Sequence, residues 1–183
     1  MADLTRRMAL LGTTVLLAAA SPAPQTVAWN FSFPSIEEGT LNLADFRGRV
    51  LLVANTASFC GYTYQYEALE KLHANLASRG LTVIGMPSQG FEQESGSNAA
   101  VKAFCDATFD VQFPMTGLTH VKGQQANAFY QWVKAERRWE PGWNFNKVLI
   151  GRNGRIIDTY GSNDEPYGPV LYHAIDDALK ITA

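Results

Sequence analysis

The chain has 183 residues, 15 Lys and Arg against 17 Asp and Glu, a net charge of −2, and a hydrophobic fraction of 46%. That length suits one domain with a sizeable core and leaves no room for a second. The near-neutral balance, with no Lys/Arg run interleaved with aromatics, argues against a phosphate-binding surface and against nucleic acid as a partner.

At the start, Thr5, Arg6 and Arg7 precede an uncharged run from Met8 to Ala20 that ends in small residues and Pro22. The run is too short and too Ala-rich for a membrane span, so residues 1–23 are expected to be a signal peptide and residues 24–183 the exported, periplasmic domain. The paired arginines resemble a twin-arginine export signal; an ordinary export signal with two arginines fits equally. No stable membrane association is expected after cleavage.

Trp29 to Ser35 reads as an extended entry segment and Gly39 to Leu43 as a short hairpin-like piece. The apolar run Val50-Leu51-Leu52-Val53-Ala54 lacks alternation, which is the pattern of a strand buried on both faces. It gives way to Cys60. Beyond it, Tyr66, Leu69, Leu72, His73 and Leu76 recur at helical spacing, predicting an amphipathic helix from near Thr63 to about Ser78-Arg79-Gly80. Leu81 to Met86 is a second buried strand, completing a parallel crossover. A polar loop over Ser88–Ser97 leaves the same sheet edge as Cys60. A helix capped by Ser97 or Asn98 follows, with Val101, Phe104 and Cys105 on its apolar side. Phe113 to Met115 is extended, and a helix from Gln125 to Glu136 buries Phe129, Trp132 and Val133. Strands over Lys147–Ile150 and Arg155–Tyr160 flank an Asn153-Gly154 turn, and a helix over Val170–Ile181 closes the chain. This order is that of an α/β, thioredoxin-like domain with a central mixed sheet flanked by helices and a helical insertion.

Cys60 and Cys105 are the only cysteines, readable as a staple, a redox pair, or one working thiol and a bystander. At a strand-to-helix turn Cys60 meets the partial positive charge and free N–H groups that favour a thiolate; the alternative is a buried, inert thiol. Thr63 stands where a dithiol oxidoreductase has its second cysteine, which rules out local C-x-x-C exchange. A lone thiolate suits attack on peroxide oxygen through a sulfenic acid, and that chemistry needs neutral donors for the leaving oxygen. Gln93, Trp143 and Asn144 offer such donors from loops. Taken singly, Gln93 also reads as a solvated loop residue, Trp143 as a core or rim aromatic, and Asn144 as a turn former. The histidines His73, His120 and His173 lack ligand spacing, so no metal is expected, and no cofactor-binding loop occurs.

The words Ala54-Asn55-Thr56-Ala57-Ser58-Phe59-Cys60-Gly61, Gly85-Met86-Pro87 through Gln93-Glu94-Ser95-Gly96-Ser97, Phe113-Pro114-Met115 and Trp143-Asn144-Phe145 resemble the glutathione peroxidase family in its cysteine form, over Phe31 to Leu179. The resemblance implies a thiol peroxidase that reduces hydrogen peroxide or organic hydroperoxides in oxidative-stress defence. It implies catalytic residues Cys60, Gln93, Trp143 and Asn144, and a glutathione or thioredoxin-like reductant. A monomer is expected. Phe59 departs from the family, which usually has a basic residue there, and the stretch leading to Gln93 is one residue shorter. Cys105, 45 residues after Cys60, lies about one residue from where thioredoxin-dependent members carry a resolving cysteine. Its helical spacing from Val101 and Phe109 favours a packed core cysteine, and resolution would require its helix to unwind in part. The competing readings are a thioredoxin-fold binding module without peroxidase activity and a thiol–disulfide exchange protein.

Overall fold

The computed structural model describes residues 25–181, so the predicted signal segment lies outside the described residues. After a single 3-10 turn at Ala28–Asn30, where an extended segment was expected, β1 (Ser32–Pro34) pairs antiparallel with β2 (Thr40–Asn42). The next elements are β3 (Val50–Thr56), α1 (Gln65–Leu76), β4 (Leu81–Pro87), α2 (Asn98–Phe109) and α3 (Ala128–Arg137). The chain ends in β5 (Lys147–Ile150), β6 (Ile156–Tyr160) and α4 (Pro169–Lys180).

The main sheet has the order β4-β3-β5-β6. β3 and β4 run parallel, in register from Val50 opposite Leu81 to Thr56 opposite Pro87, whereas β5 pairs antiparallel with β3 and β6 antiparallel with β5. All of β3 is buried, as its unbroken apolar run predicts. Val50, Leu52 and Ala54 join Leu69, Leu72, Val101, Leu171 and Ile175 in one core, built with α1, α2 and α4. Leu51 and Val53 join Phe33, Leu41, Phe129, Trp132 and Val133 in the other, built with α3 and the β1–β2 ribbon. Being sandwiched, β3 has a fixed register, and its carboxyl end delivers the next residues to one edge of the sheet.

Phe113 to Met115 does not extend the sheet as a full strand. Met115 makes one parallel bridge to Gly85 of β4, with Gly85 N–H on the Pro114 carbonyl at 2.9 Å and Thr116 N–H on the Gly85 carbonyl at 2.9 Å. The approach needs glycine: a Cβ at Gly85 would lie 3.0 Å from the Phe113 ring and 3.1 Å from Met115 Cγ.

Two of the helices begin at side-chain caps. Ser97 caps α2, its hydroxyl accepting the Ala100 N–H, and Asn127 caps α3 by accepting the Tyr130 N–H, which starts that helix three residues later than its apolar pattern does. Among the described residues no helix is long and apolar enough to cross a membrane.

Candidate active site

β3 and β4 end together, and the Ser88 N–H bonds to the Thr56 carbonyl at 3.1 Å, so the segments that follow them start side by side. The segment after β3 does not enter α1 directly. Thr63 N–H returns to the Cys60 carbonyl, Gln65 N–H to Tyr62 and Tyr66 N–H to Thr63, so 3-10-type turns lead into a helix that starts at Gln65, two residues beyond the predicted Thr63. Thr63 organises this loop. Its hydroxyl accepts the Cys60 N–H at 3.1 Å and lies 2.6 Å from the Cys60 carbonyl. The residue that removes the second thiol thus shapes the turn that carries the first.

Cys60 is 8% exposed, and among the described residues its Sγ accepts one hydrogen bond, from the Tyr62 N–H at 3.5 Å. That donor is a backbone N–H at the approach to α1, as a thiolate at a helix entry requires. Phe59 beside it is 66% exposed and its ring lies 6.4 Å from that of Phe104 on α2.

The loop after β4 is fastened to the cysteine loop. Phe59 N–H bonds to the Gln93 carbonyl at 2.9 Å and Ser58 N–H to Glu94 Oε1 at 3.1 Å. The loop before β5 is fastened in turn to β3. Asn55, fully buried in an otherwise aliphatic strand, donates to the Trp143 carbonyl at 3.0 Å, and its Oδ1 accepts the Asn146 N–H at 3.1 Å. Its carbonyl accepts the Phe145 N–H, with Phe145 in the left-handed region at φ +59°. Ser162 closes the arrangement from behind, accepting from Asn146 and donating to the Asn144 carbonyl at 2.7 Å.

These fastenings bring Gln93 and Asn144 into direct contact: Asn144 Nδ2 donates to Gln93 Oε1 at 3.1 Å. With its oxygen held, the Gln93 amide presents its NH2 group elsewhere, and the Asn144 Oδ1 is buried without a partner. Trp143 is 40% exposed and packs against Phe91, ring centroids 5.3 Å apart. Lys122 Nζ sits over the other part of this aromatic pair, 4.1 Å from the Phe91 ring. The four predicted residues therefore share one edge. Gln93 and Asn144 touch, the Gln93 carbonyl holds the residue before Cys60, and Trp143 adjoins the Gln93 loop.

Cys105 is fully buried on α2, in the core that Cys60 also joins with residues of α1 and α4. Both cysteines are free thiols, and burial pushes the Cys105 thiol up to about 11. The sequence alone discloses no site role for Asn55, Glu94 or Ser162. Asn55 carries a readable signal, since a polar side chain inside an aliphatic strand must find partners; the others become visible only through the loops they join.

A thiol at a strand-to-helix turn, with neutral amide donors from two other loops, defines a thiol-based oxidoreductase on an α/β sheet. The sequence profile of the glutathione peroxidase family matches residues 28–134. The glutathione peroxidase of Lactococcus lactis is 36% identical over 143 residues, 75% of this chain and 91% of that protein. The thioredoxin/glutathione peroxidase BtuE of Escherichia coli is 34% identical over 169 residues, 79% of this chain and 92% of that one. Among solved structures, the crystal structure of Trgpx in apo form is similar at a TM-score of 0.69 and 31% identity, covering 87% of this chain and 99% of that one. The chain belongs to the glutathione peroxidase family and has its thioredoxin-like fold.

Proposed function

We propose that the protein is a thiol peroxidase that reduces hydrogen peroxide or organic hydroperoxides at Cys60. The observation that carries the reading is the hydrogen-bonded edge on which the Cys60 loop, Gln93 and Asn144 are joined. The Cys60 thiolate attacks the terminal peroxide oxygen; an S–O bond forms as the O–O bond breaks, and the departing alkoxide or hydroxide leaves as alcohol or water after taking a proton. In this reading the Gln93 amide, the Trp143 indole N–H and the Asn144 amide donate to the developing charge. One external thiol then displaces water from the sulfenic acid to give a mixed disulfide. A second thiol releases Cys60, so each turnover consumes one hydroperoxide and two thiols.

The surface around Cys60 favours a thioredoxin-like protein over glutathione as the thiol donor. The two loops themselves carry no Lys or Arg from Ala57 to Tyr64 or from Ser88 to Asn98, Lys122 on this edge lies over the Phe91 ring, and exposed Phe59 stands where the family usually has a basic residue. An apolar side chain beside the reactive sulfur suits the apolar rim of a protein partner. Export to the periplasm, which rests on the signal-like start of the chain, and action there as a monomer in oxidative-stress defence complete the reading.

Titration of the reduced protein with hydrogen peroxide in the presence of a sulfenic-acid trap should label Cys60 stoichiometrically. Cys60→Ser should abolish turnover and keep the fold, because a serine hydroxyl is not ionised at neutral pH. Turnover retained in that variant would exclude the mechanism.

A further inference from the structure

Beneath the cysteine loop lies a buried carboxylate with no countercharge. Glu94 is 8% exposed, and among the described residues no Lys, Arg or His stands within ion-pair distance of it. Its Oε1 accepts two backbone donors, Ser58 N–H at 3.1 Å and Ser95 N–H at 2.8 Å, while Oε2 is buried with no partner. Burial raises its pKa above the ordinary carboxylate value. The titratable groups that face it are Tyr66 of α1 and Cys105 of α2, both pushed up by burial and hence neutral at pH 7, so neither supplies a compensating charge. An uncompensated buried carboxylate is costly, and a fold that needed only apolar filling here would not retain one.

The two N–H groups identify what the carboxylate does. Ser58 lies two residues before Cys60, and Ser95 two after Gln93. The adjacent pair, Phe59 N–H on the Gln93 carbonyl at 2.9 Å, runs beside the Ser58 bond. Resting on the peroxidase reading above, we propose that Glu94 is a positioning residue for peroxide reduction: its carboxylate locks the loop that presents Cys60 to the loop that presents Gln93. Glu94 touches no reacting atom in this role. The charge-assisted Ser58 bond, stronger than a neutral one, joins the two loops, while the bond from Ser95, the next residue of Glu94's own loop, holds the carboxylate in place to make it.

The test separates the two half-reactions. Misplacement of a reacting group by about 1 Å costs on the order of a hundredfold, so Glu94→Ala should slow oxidation of Cys60 by hydrogen peroxide about ten- to a hundredfold in stopped flow. Glu94→Gln, which keeps an acceptor oxygen in place, should recover the rate to within about fivefold of wild type. Reduction of the oxidised Cys60 by dithiothreitol needs only access to the sulfur and should stay within about twofold in both variants. Wild-type oxidation in Glu94→Ala, a loss in Glu94→Gln equal to that in Glu94→Ala, or equal slowing of both half-reactions would overturn the role. Should Glu94→Ala not fold, Glu94→Asp decides: its shorter arm cannot span both donors, and a folded Asp variant oxidised at the wild-type rate also overturns it. A wild-type protein that peroxide does not oxidise at Cys60 would instead defeat the peroxidase reading itself.

Discussion

Asn144 and Trp143 are neighbours in the chain with unequal tasks, and their variants should differ accordingly. The Asn144 amide holds Gln93 Oε1 at 3.1 Å and thereby sets which way the Gln93 NH2 points, so Asn144→Ala removes one donor and frees another. Trp143→Phe keeps an aromatic ring against Phe91 and loses only the indole N–H. Each should slow oxidation of Cys60 by roughly ten- to a thousandfold, Asn144→Ala by the larger factor, as read by pre-steady-state fluorescence or stopped flow. Wild-type rates in both variants would show that these donors do not serve the peroxide step. The sequence made these residue types legible because peroxide chemistry requires neutral donors. It could not show the Gln93–Asn144 bond, because two residues 51 apart in the chain meet only when Asn55 and Ser162 have placed their loops.

At the scale of elements, periodicity located β3, β4 and the four helices, and erred where a polar side chain or a turn overrides it. The apolar pattern of α3 begins before Asn127, whose side chain caps the helix, and that of α1 begins inside a series of 3-10-type turns. β5 holds a further feature that no pattern discloses. Lys147 is fully buried, its Nζ donating to Gln65 Oε1 at 2.6 Å and to the Asp164 carbonyl at 2.7 Å, so it ties β5 to the start of α1 and to the loop after β6. Burial lowers its pKa from 10.5 to about 8, despite the raising influence of Glu165 and Asp164. A lowered folded-state value means that the unfolded chain takes up the proton first as pH falls; the stabilisation is present above 10.5 and lost towards 8. The stability of the wild type minus that of Lys147→Met should therefore rise by about 2 kcal/mol between pH 7.5 and pH 10 in urea unfolding. Cys105 and the buried tyrosines also titrate in alkali, but they are common to both proteins and cancel. A difference that stays flat with pH would show that Lys147 is not held in this state.

At the scale of the whole molecule, the position of Cys105 decides whether the catalytic cycle closes within the chain. Resolution requires a thiolate to attack the oxidised sulfur of Cys60, with the two Cα atoms within about 7 Å. Cys105 sits within the 12 residues of α2, with no exposed surface, packed in the same core as Tyr66, Val101 and Phe113. Burial pushes its thiol up to about 11, which disfavours the thiolate that resolution needs. α2 is also secured at both ends, by the Ser97 cap and by Asp110 in the left-handed conformation with its N–H on the Asp106 carbonyl. Unwinding it would expose Val101 and Cys105 and open one of the two cores. A buried Cys105 on a helix secured at both ends makes an external thiol the expected reductant of the oxidised Cys60. Peptide mapping after one equivalent of peroxide, with free thiols blocked under denaturing conditions, should find Cys60 oxidised and Cys105 alkylated, with no linked pair. Cys105→Ala should turn over within about twofold of wild type when a thioredoxin-like reductant is supplied, since the variant removes no group from the peroxide step. A Cys60–Cys105 linked peptide, formed together with a loss of helical circular dichroism, would mean that α2 does unwind and that the protein runs a two-cysteine cycle.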